Sequence, residues 1–244
     1  MDSIRLGMLT PSSNTVVEPV TQAIVAPLEG VTAHFSRFEV TEISLTDTAL
    51  AQFEMSPFMS AAQLLADARM HVIAWNGTSA AWRGFHEDSL LCDAITERFA
   101  TPATASMLVL NELLAATDSK RFALVTPYID DVQSKIIANY EASGFHCVSE
   151  RHLGIKVNFD FAAIKPDTIR EMVLGAAAGR PEAIIIVCTN LNAAPLVRSL
   201  EEETGIPIYD STSAVVWRAL RLAGVDTRAL SEWGSLFTNP KLNV

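Results

Sequence analysis

The segment AIIIVCTN, residues 183–190, joins a run of aliphatic and β-branched residues to a cysteine and two small polar residues. A short run rich in Ile and Val predicts a buried strand. Cys188 would then lie at the carboxyl end of that strand, which is the edge where open α/β sheets bind their ligands. A cysteine in this place can equally be a small hydrophobic residue that packs against its neighbours. The segment therefore predicts a strand and leaves two roles open for the thiol.

Matching segments occur earlier in the chain. VIAWNGTS (72–79) also ends an apolar run in small polar residues, and RLGMLTP (5–11) matches RFALVTP (121–127), both of them strand-like runs that end in Thr-Pro. In the same way, ATPATASMLVLNELLAA (100–116) matches GIPIYDSTSAVVWRALRLAG (205–224). The members of each pair are roughly 105–116 residues apart, as a duplicated α/β unit would give.

Helical segments separate these strands, for example MSAAQLLADARM (59–70) and DVQSKIIANYEASGF (131–145). The order of strand, short loop, helix and strand indicates βαβ units and a parallel sheet. We therefore predict an α/β protein made of two similar Rossmann-like halves, residues 1–115 and 116–244, related by a pseudo-two-fold axis. The helix that closes the first half could cross over, and the active site is expected in the cleft between the halves.

Composition limits the partners of the chain. It has 244 residues and a net charge of −10, without a basic cluster, so we expect no nucleic-acid partner. No apolar run approaches the length of a membrane span, so we expect no membrane partner. The first residues, MDSIRLGMLTP, lack the long apolar segment of a signal peptide, so a cytoplasmic location is expected. The oligomeric state is left undecided.

Cofactor and metal motifs are missing from the sequence. Cys92, Cys147 and Cys188 are widely spaced, and neither CxxC nor a Cys/His ligand spacing occurs. This pattern indicates neither a disulfide framework nor a zinc site. Because the chain also has no GxGxxG or GxxxxGK[ST] segment, a nucleotide site has no support. We expect no metal ion and no organic cofactor.

Four polar loops follow predicted strands and are the candidates for chemistry. They are PSSN (11–14), NGTS (76–79), PYIDD (127–131) and CTN (188–190). Backbone N–H groups of loops that precede helices form anion sites, and Thr78, Ser79 and Tyr128 would add hydroxyl donors for a carboxylate or an enediolate. The alternatives are structural, because Gly77 to Ser79 could form a turn and helix cap, Asn14 could cap a helix, and Tyr128 could be an amphipathic rim residue.

Taken together, these loops resemble the arylmalonate decarboxylase and maleate cis–trans isomerase group of the aspartate/glutamate racemase superfamily. The resemblance covers nearly the whole chain and is carried by RLGMLTPSSNTVVEP (5–19), AWNGTSAAWRG (74–84), TPYIDDV (126–132), GIKVN (154–158), IIVCT (185–189) and AVVWRALRLAG (214–224). It implies the duplicated α/β fold, a catalytic Cys188, the family tyrosine at Tyr128, and a substrate-carboxylate position at Asn14. Asn158 matches an asparagine of the isomerases.

Position 77 is the informative departure from the superfamily pattern. Racemases and maleate isomerases of this superfamily carry a first cysteine there, but this chain has Gly77, as arylmalonate decarboxylases do. Racemases need an acid and a base on opposite faces, whereas an enediolate left after loss of CO₂ needs only one proton on one face. On the other side, PSSNT (11–15), Glu18, Asn158 and Asn190 are more similar to the isomerases.

The resemblance therefore implies a cofactor-independent decarboxylase of a substituted malonate. One carboxylate would be held by Thr78, Ser79, Tyr128 and the Thr189 amide, and the other would lie in an apolar part of the cleft. Cys188 would protonate the enediolate. The alternatives are a maleate-type cis–trans isomerase, a racemase of a small carboxylate, and a module that binds a small mono- or dicarboxylate without catalysis.

Overall fold

The computed structural model describes residues 3–242, which form two parallel sheets with flanking helices. The strands are β1 (Ile4–Pro11), β2 (Val31–Phe38), β3 (Val72–Trp75), β4 (Ala103–Ala105), β5 (Arg121–Val125), β6 (His146–Arg151), β7 (Ala183–Ile186) and β8 (Ile208–Asp210). The α-helices are α1 (Val17–Val25), α2 (Asp47–Ala51), α3 (Met55–Asp67), α4 (Ala80–Arg83), α5 (His86–Phe99), α6 (Ser106–Ala116), α7 (Asp130–Ala142), α8 (Pro166–Ala177), α9 (Val197–Thr204) and α10 (Ser211–Leu222). Short 3₁₀ turns complete the described chain.

The two sheets have the same topology. The first has the strand order β2-β1-β3-β4 and the second β6-β5-β7-β8, and every neighbouring pair is parallel. Strands β3 and β7 occupy the same place in their sheets, and so do β4 and β8. The predicted α/β fold with two Rossmann-like halves is therefore confirmed.

Burial explains which segments became the inner strands. Every residue of β3, VIAW, and of β7, AIII, is buried, as expected for a strand covered by helices on both faces. Burying one such Ile or Val side chain contributes about 1.5–3 kcal/mol. Strand β2 lies at an edge, and its side chains alternate between more and less exposed positions. The inner strands thus fix the sheets, and their carboxyl ends present the polar loops.

The last α-helix joins the halves. Helix α10 follows β8 of the second sheet, yet it packs against β3 and β4 of the first sheet and against α1 and α6. Residues at or just beyond the ends of β1, β3 and β7 line one space, so the carboxyl ends of the two sheets face a common cleft. Within residues 3–242, no helix is long and apolar enough to span a membrane, and no three His, Cys, Asp or Glu side chains are grouped as metal ligands.

Candidate active site

A small enclosed space lies in this cleft, where β1, β3 and β7 end. It is lined by Pro11, Val40, Ile43, Phe53, Trp75, Gly77, Thr78, Ser79, Trp82, Tyr128, Asn158, Cys188 and Thr189. The unfilled volume, including its opening to solvent, is about 280 Å³, but the centre of a water molecule can move through only about 20 Å³ of it. A substrate that fits here has to be small, or the segments that cover the space have to move.

Seven of the eight residues singled out in the sequence line this cavity. They are Gly77, Thr78, Ser79, Tyr128, Asn158, Cys188 and Thr189. The eighth, Asn14, lies behind the wall. Lining residues that the sequence did not single out include Trp82 from α4 and Val40 and Ile43, which follow β2. Their signal was weak, because an apolar residue beside a polar loop is also typical of ordinary core.

The hydroxyl group of Tyr128 is fixed inside the cavity. It lies 2.8 Å from the Thr78 hydroxyl, and its ring packs edge-on against Trp82 and Phe161, at centroid distances of 5.4 and 5.6 Å. Loss of solvation raises the pKa of Tyr128 well above its ordinary value. The phenol therefore stays neutral and can donate a hydrogen bond. The Ser79 hydroxyl does not cap α4, so the cap interpretation does not account for it.

Cys188 follows the end of β7 and is buried, with 2 % of its surface exposed. Burial raises the pKa of its thiol to about 12, although the Tyr128 hydroxyl and the amides of Asn190 and Leu191 favour the thiolate. The carboxylate of Asp210 raises it further. Because the thiol stays protonated at neutral pH, it is suited to act as an acid rather than as a ready nucleophile.

Position 77, the equivalent of Cys188 in the first half, has no room for a side chain. A Cβ atom placed on Gly77 would lie 2.2, 2.4 and 2.6 Å from Cζ2, Cη2 and Cε2 of Trp75. The indole cannot easily give way, because Phe38 and Phe58 pack on it at centroid distances of 5.2 and 4.8 Å. The edge of Trp75 thus occupies the space that a first cysteine would need.

Asn14 holds the loops together from outside the cavity. Its Oδ1 accepts from the backbone N–H groups of Val16 and Val17, both at 2.9 Å, where the chain enters α1. Its Nδ2 donates to the Thr189 hydroxyl at 3.2 Å, and that hydroxyl donates to the Asn76 carbonyl at 3.2 Å. The amide of Asn14 therefore joins the start of α1 to the loop after β7, and its assignment to a substrate carboxylate stays a prediction.

Asn158 and Asn190 link the same loops across the cleft. The Nδ2 of Asn158 donates to the Ser13 hydroxyl at 2.7 Å, and the Nδ2 of Asn190 donates to the Asn158 carbonyl at 2.6 Å. The Oδ1 of Asn190 accepts from the Thr15 amide at 3.0 Å. Asn158 lines the cavity with its remaining surface, whereas Asn190 supports it from behind.

A segment of the first half, residues 40–53, covers the cavity and is bonded to the second half. The Ile43 amide donates to the Lys156 carbonyl at 3.0 Å, and the Asn158 amide donates to the Thr41 carbonyl at 3.1 Å. Lys156 also forms an ion pair with Glu42 at 2.7 Å. These contacts enclose the site, which strengthens every electrostatic interaction within it.

Comparisons with known proteins agree with the geometry. The family model described as arylmalonate decarboxylase matches residues 12–237. A maleate isomerase of Nocardia farcinica is 27 % identical over 224 residues, or 89 % of each chain. The arylmalonate decarboxylase of Bordetella bronchiseptica is 29 % identical over 169 residues, covering 68 % of this chain and 70 % of that protein.

A solved structure is similar over almost the whole fold. It is a mutant of the Nocardia farcinica maleate cis–trans isomerase with a covalently bound succinylcysteine intermediate, at a TM-score of 0.81 and 26 % identity. The likeness covers 92 % of this chain and 94 % of that one. The relatives therefore include both a decarboxylase and isomerases, and the site itself has to distinguish between the two reactions.

Proposed function

The chain belongs to the arylmalonate decarboxylase family, and on that premise we propose that it decarboxylates a small substituted malonate without a cofactor. The observation that carries the proposal is the contrast between equivalent positions of the two halves. Cys188 offers one protonated thiol, and at position 77 the edge of Trp75 fills the place of a second. One proton donor suits a reaction that needs one proton on one face.

The retained carboxylate would be bound by hydrogen-bond donors. Thr78, Ser79 and Tyr128 supply hydroxyl groups, and the backbone amide of Thr189 supplies a fourth donor. As carbon–carbon cleavage begins, negative charge spreads onto this carboxylate and forms an enediolate. Donors that are already oriented in an enclosed site stabilise such charge without reorganising at the moment of reaction.

The departing carboxylate would lie against the apolar part of the wall. Val40, Ile43 and Phe53 carry no polar side-chain atoms, and all three line the cavity. A carboxylate held there loses solvation, which favours its conversion into neutral CO₂. The electron pair of the broken bond stays on the substrate as the enediolate, so no oxidant or reductant is required.

Cys188 would complete the reaction by transferring its proton to the α-carbon. The thiolate left behind is stabilised by the Tyr128 hydroxyl and by the amides of Asn190 and Leu191. A proton taken up from water then restores the thiol and prepares the next turnover. The high pKa keeps Cys188 protonated until the enediolate forms. The transfer is then favourable because the carbanion-like centre is more basic than the thiolate.

Isomerisation of a maleate-type diacid is the second candidate function. It is favoured by the relatives named maleate isomerase and by the succinylcysteine adduct of one of them, which requires a cysteine as nucleophile. Against it, the single thiol that lines this cavity has a pKa of about 12 and so is almost entirely protonated at neutral pH. Decarboxylation needs the thiol in the form that it has here.

Product analysis without added metal or cofactor tests the choice. The panel contains methylmalonate, hydroxymalonate, an alkenylmethylmalonate and phenylmethylmalonate for CO₂ release, and maleate for conversion to fumarate. We expect CO₂ from the smallest malonates and no fumarate. Fumarate without CO₂ would make the isomerase the correct assignment, and silence on every substrate would favour a binding module.

A further inference from the structure

Two indole N–H groups near the cavity have no hydrogen-bond partner. The Nε1 atoms of Trp75 and Trp82 are buried, and neither finds an acceptor within residues 3–242. Both side chains line the cavity, with 1 % and 2 % of their surface exposed. Buried donors without a partner are rare in folded proteins, and their presence beside a binding site calls for an explanation.

The N–H of Trp75 adjoins the ring edge that approaches Gly77. Cε2, the carbon bonded to Nε1, is one of the three ring atoms nearest to a Cβ placed on Gly77. Gly77 itself lines the cavity. The donor of Trp75 therefore lies on the same ring edge that fills the position of a first cysteine.

Trp82, which also lines the cavity, is held by aromatic contacts. Phe53 and Tyr128 pack against its ring at centroid distances of 5.8 and 5.4 Å, both nearly edge-on. These neighbours contribute no acceptor for its N–H, and Val40 and Ile43 are aliphatic. The Thr78 and Tyr128 hydroxyl groups, which we assign to the retained carboxylate, lie 2.8 Å apart. The two indole N–H groups therefore have no acceptor in a site that we propose binds a dicarboxylate.

We propose that Trp75 and Trp82 form a donor subsite that binds an oxygen atom on the α-substituent of the malonate. The inference rests on the proposed function and narrows its substrate class to malonates with a small, oxygen-bearing substituent, of which hydroxymalonate is the simplest. An aryl ring carries no oxygen acceptor for these donors, and it fits the narrow space less well than a small substituent does. The hydroxyl or ether oxygen supplies the partner that each indole lacks.

Binding of matched ligands tests the subsite apart from turnover. Hydroxymalonate and methylmalonate differ by a hydroxyl against a methyl group of similar size, and methoxymalonate and ethylmalonate repeat the comparison with an acceptor-only oxygen. Affinities are measured by calorimetry on the Cys188→Ser chain, in which the slowed release of CO₂ lets binding be followed before the ligand is consumed. We expect each oxygen-bearing ligand to bind roughly threefold to tenfold more tightly than its partner, the effect of one net hydrogen bond.

Variants then assign the preference to the indoles. Trp75→Phe and Trp82→Phe remove the N–H while keeping an aromatic ring, and we expect each to reduce the affinity ratio within a pair. Trp217→Phe, on α10 and outside the cavity lining, is the matched control and should leave the ratio unchanged. Because both ligands of a pair have nearly the same size, space opened by the variants cancels in the ratio.

The outcomes distinguish failure of the subsite from failure of the proposed function. Equal affinities within both pairs, or a preference that survives both Trp→Phe variants, would overturn the subsite and leave the proposed decarboxylase standing. Failure of all four diacids to bind would instead count against the proposed function. A preference that falls in both Trp→Phe variants and persists in Trp217→Phe would establish the subsite.

Discussion

The loops that follow β3 and β7 occupy equivalent places in the two sheets and carry different chemistry. Trp75 pairs in register with Leu9 and Ala105, as Ile186 does with Val125 and Asp210. Two residues beyond these strand ends, the first half has Gly77 and the second has Cys188. The duplicated fold thus offers two positions for a thiol, and in the first half a tryptophan fills the space beside the glycine.

The helices that follow β4 and β8 repeat this contrast between the halves. Asp210 caps its own helix α10, because its Oδ1 accepts from the amides of Thr212 and Ser213 at 3.0 and 2.9 Å. Ala105 cannot cap α6, and Asp88 from the preceding helix accepts from the Met107 amide at 3.3 Å instead. Each half therefore buries one aspartate that accepts from the start of a helix. Only the aspartate of the second half, Asp210, ends a strand that neighbours β7, the strand that precedes Cys188.

Removing the thiol should have the largest effect. We expect Cys188→Ser to lower the rate of CO₂ release by about 10²–10⁴-fold, the contribution of a positioned acid. The fold should be retained, because serine is nearly the same size. Cys147→Ser, a substitution of a half-buried cysteine on β6, is the control and should keep full activity. An unchanged rate in Cys188→Ser would remove this residue from the mechanism.

Placing the residues of the second half at the equivalent positions of the first should introduce a second thiol, on the opposite face of the substrate. Gly77→Cys alone forces the new side chain against Trp75, so we expect a loss of stability of about 1–3 kcal/mol and no new activity. Combined with Trp75→Ile, which reproduces Ile186, the new thiol should have room. The double variant should then exchange the α-proton of a 2-substituted propionate.

Deuterium exchange followed by NMR, together with urea unfolding, measures both effects. The Trp75→Ile variant alone is the control, because it opens the same space without adding a thiol. If Gly77→Cys by itself is as stable and as active in exchange as the double variant, then Trp75 does not block a side chain at position 77.

The inner strands and the duplication could be predicted from the sequence, because both depend on local sequence patterns. The buried runs VIAW and AIII predicted inner strands, and the paired segments predicted the duplication. Strand β6, HCVSER, gave a weaker signal, because an edge strand with polar side chains lacks an apolar run. Asn14 was ambiguous for a physical reason, since one amide can either cap a helix or bind a carboxylate.

The blocked position at Gly77 could not be predicted from the sequence. It depends on where the Trp75 ring points, and that direction is set by Phe38 and Phe58, which come from other elements. The covering segment was invisible for the same reason, because its hydrogen bonds join residues more than a hundred positions apart. Sequence patterns identify the candidate groups, whereas packing decides which space is left for them.

The smallest effect is expected from the charge of Asp210. Burial raises the pKa of Asp210 to about 7 and that of Asp88 to about 8, so both carboxyl groups ionise near neutral pH in the folded protein. Both values lie above the unfolded value of 3.8, so the folded state binds more protons between about pH 4 and pH 8, and stability falls as the pH rises through that range. Asp210→Asn and Asp88→Asn should each flatten this decline, as thermal unfolding at several pH values would show.

The two Asp→Asn variants should change stability in the same way, but only Asp210→Asn should change the reactivity of the Cys188 thiol. The Asp210 carboxylate raises the pKa of Cys188, so removing its charge should let the thiolate form at lower pH. In Asp210→Asn, alkylation of Cys188 should therefore begin at lower pH, and CO₂ release, which needs the protonated thiol, should decline at lower pH. Asp88→Asn loses a buried capping charge of the same kind, but the pH profile of its Cys188 should match that of the unmodified chain. Equal shifts in both variants would mean that general loosening of the fold, rather than the charge beside the thiol, controls its ionisation.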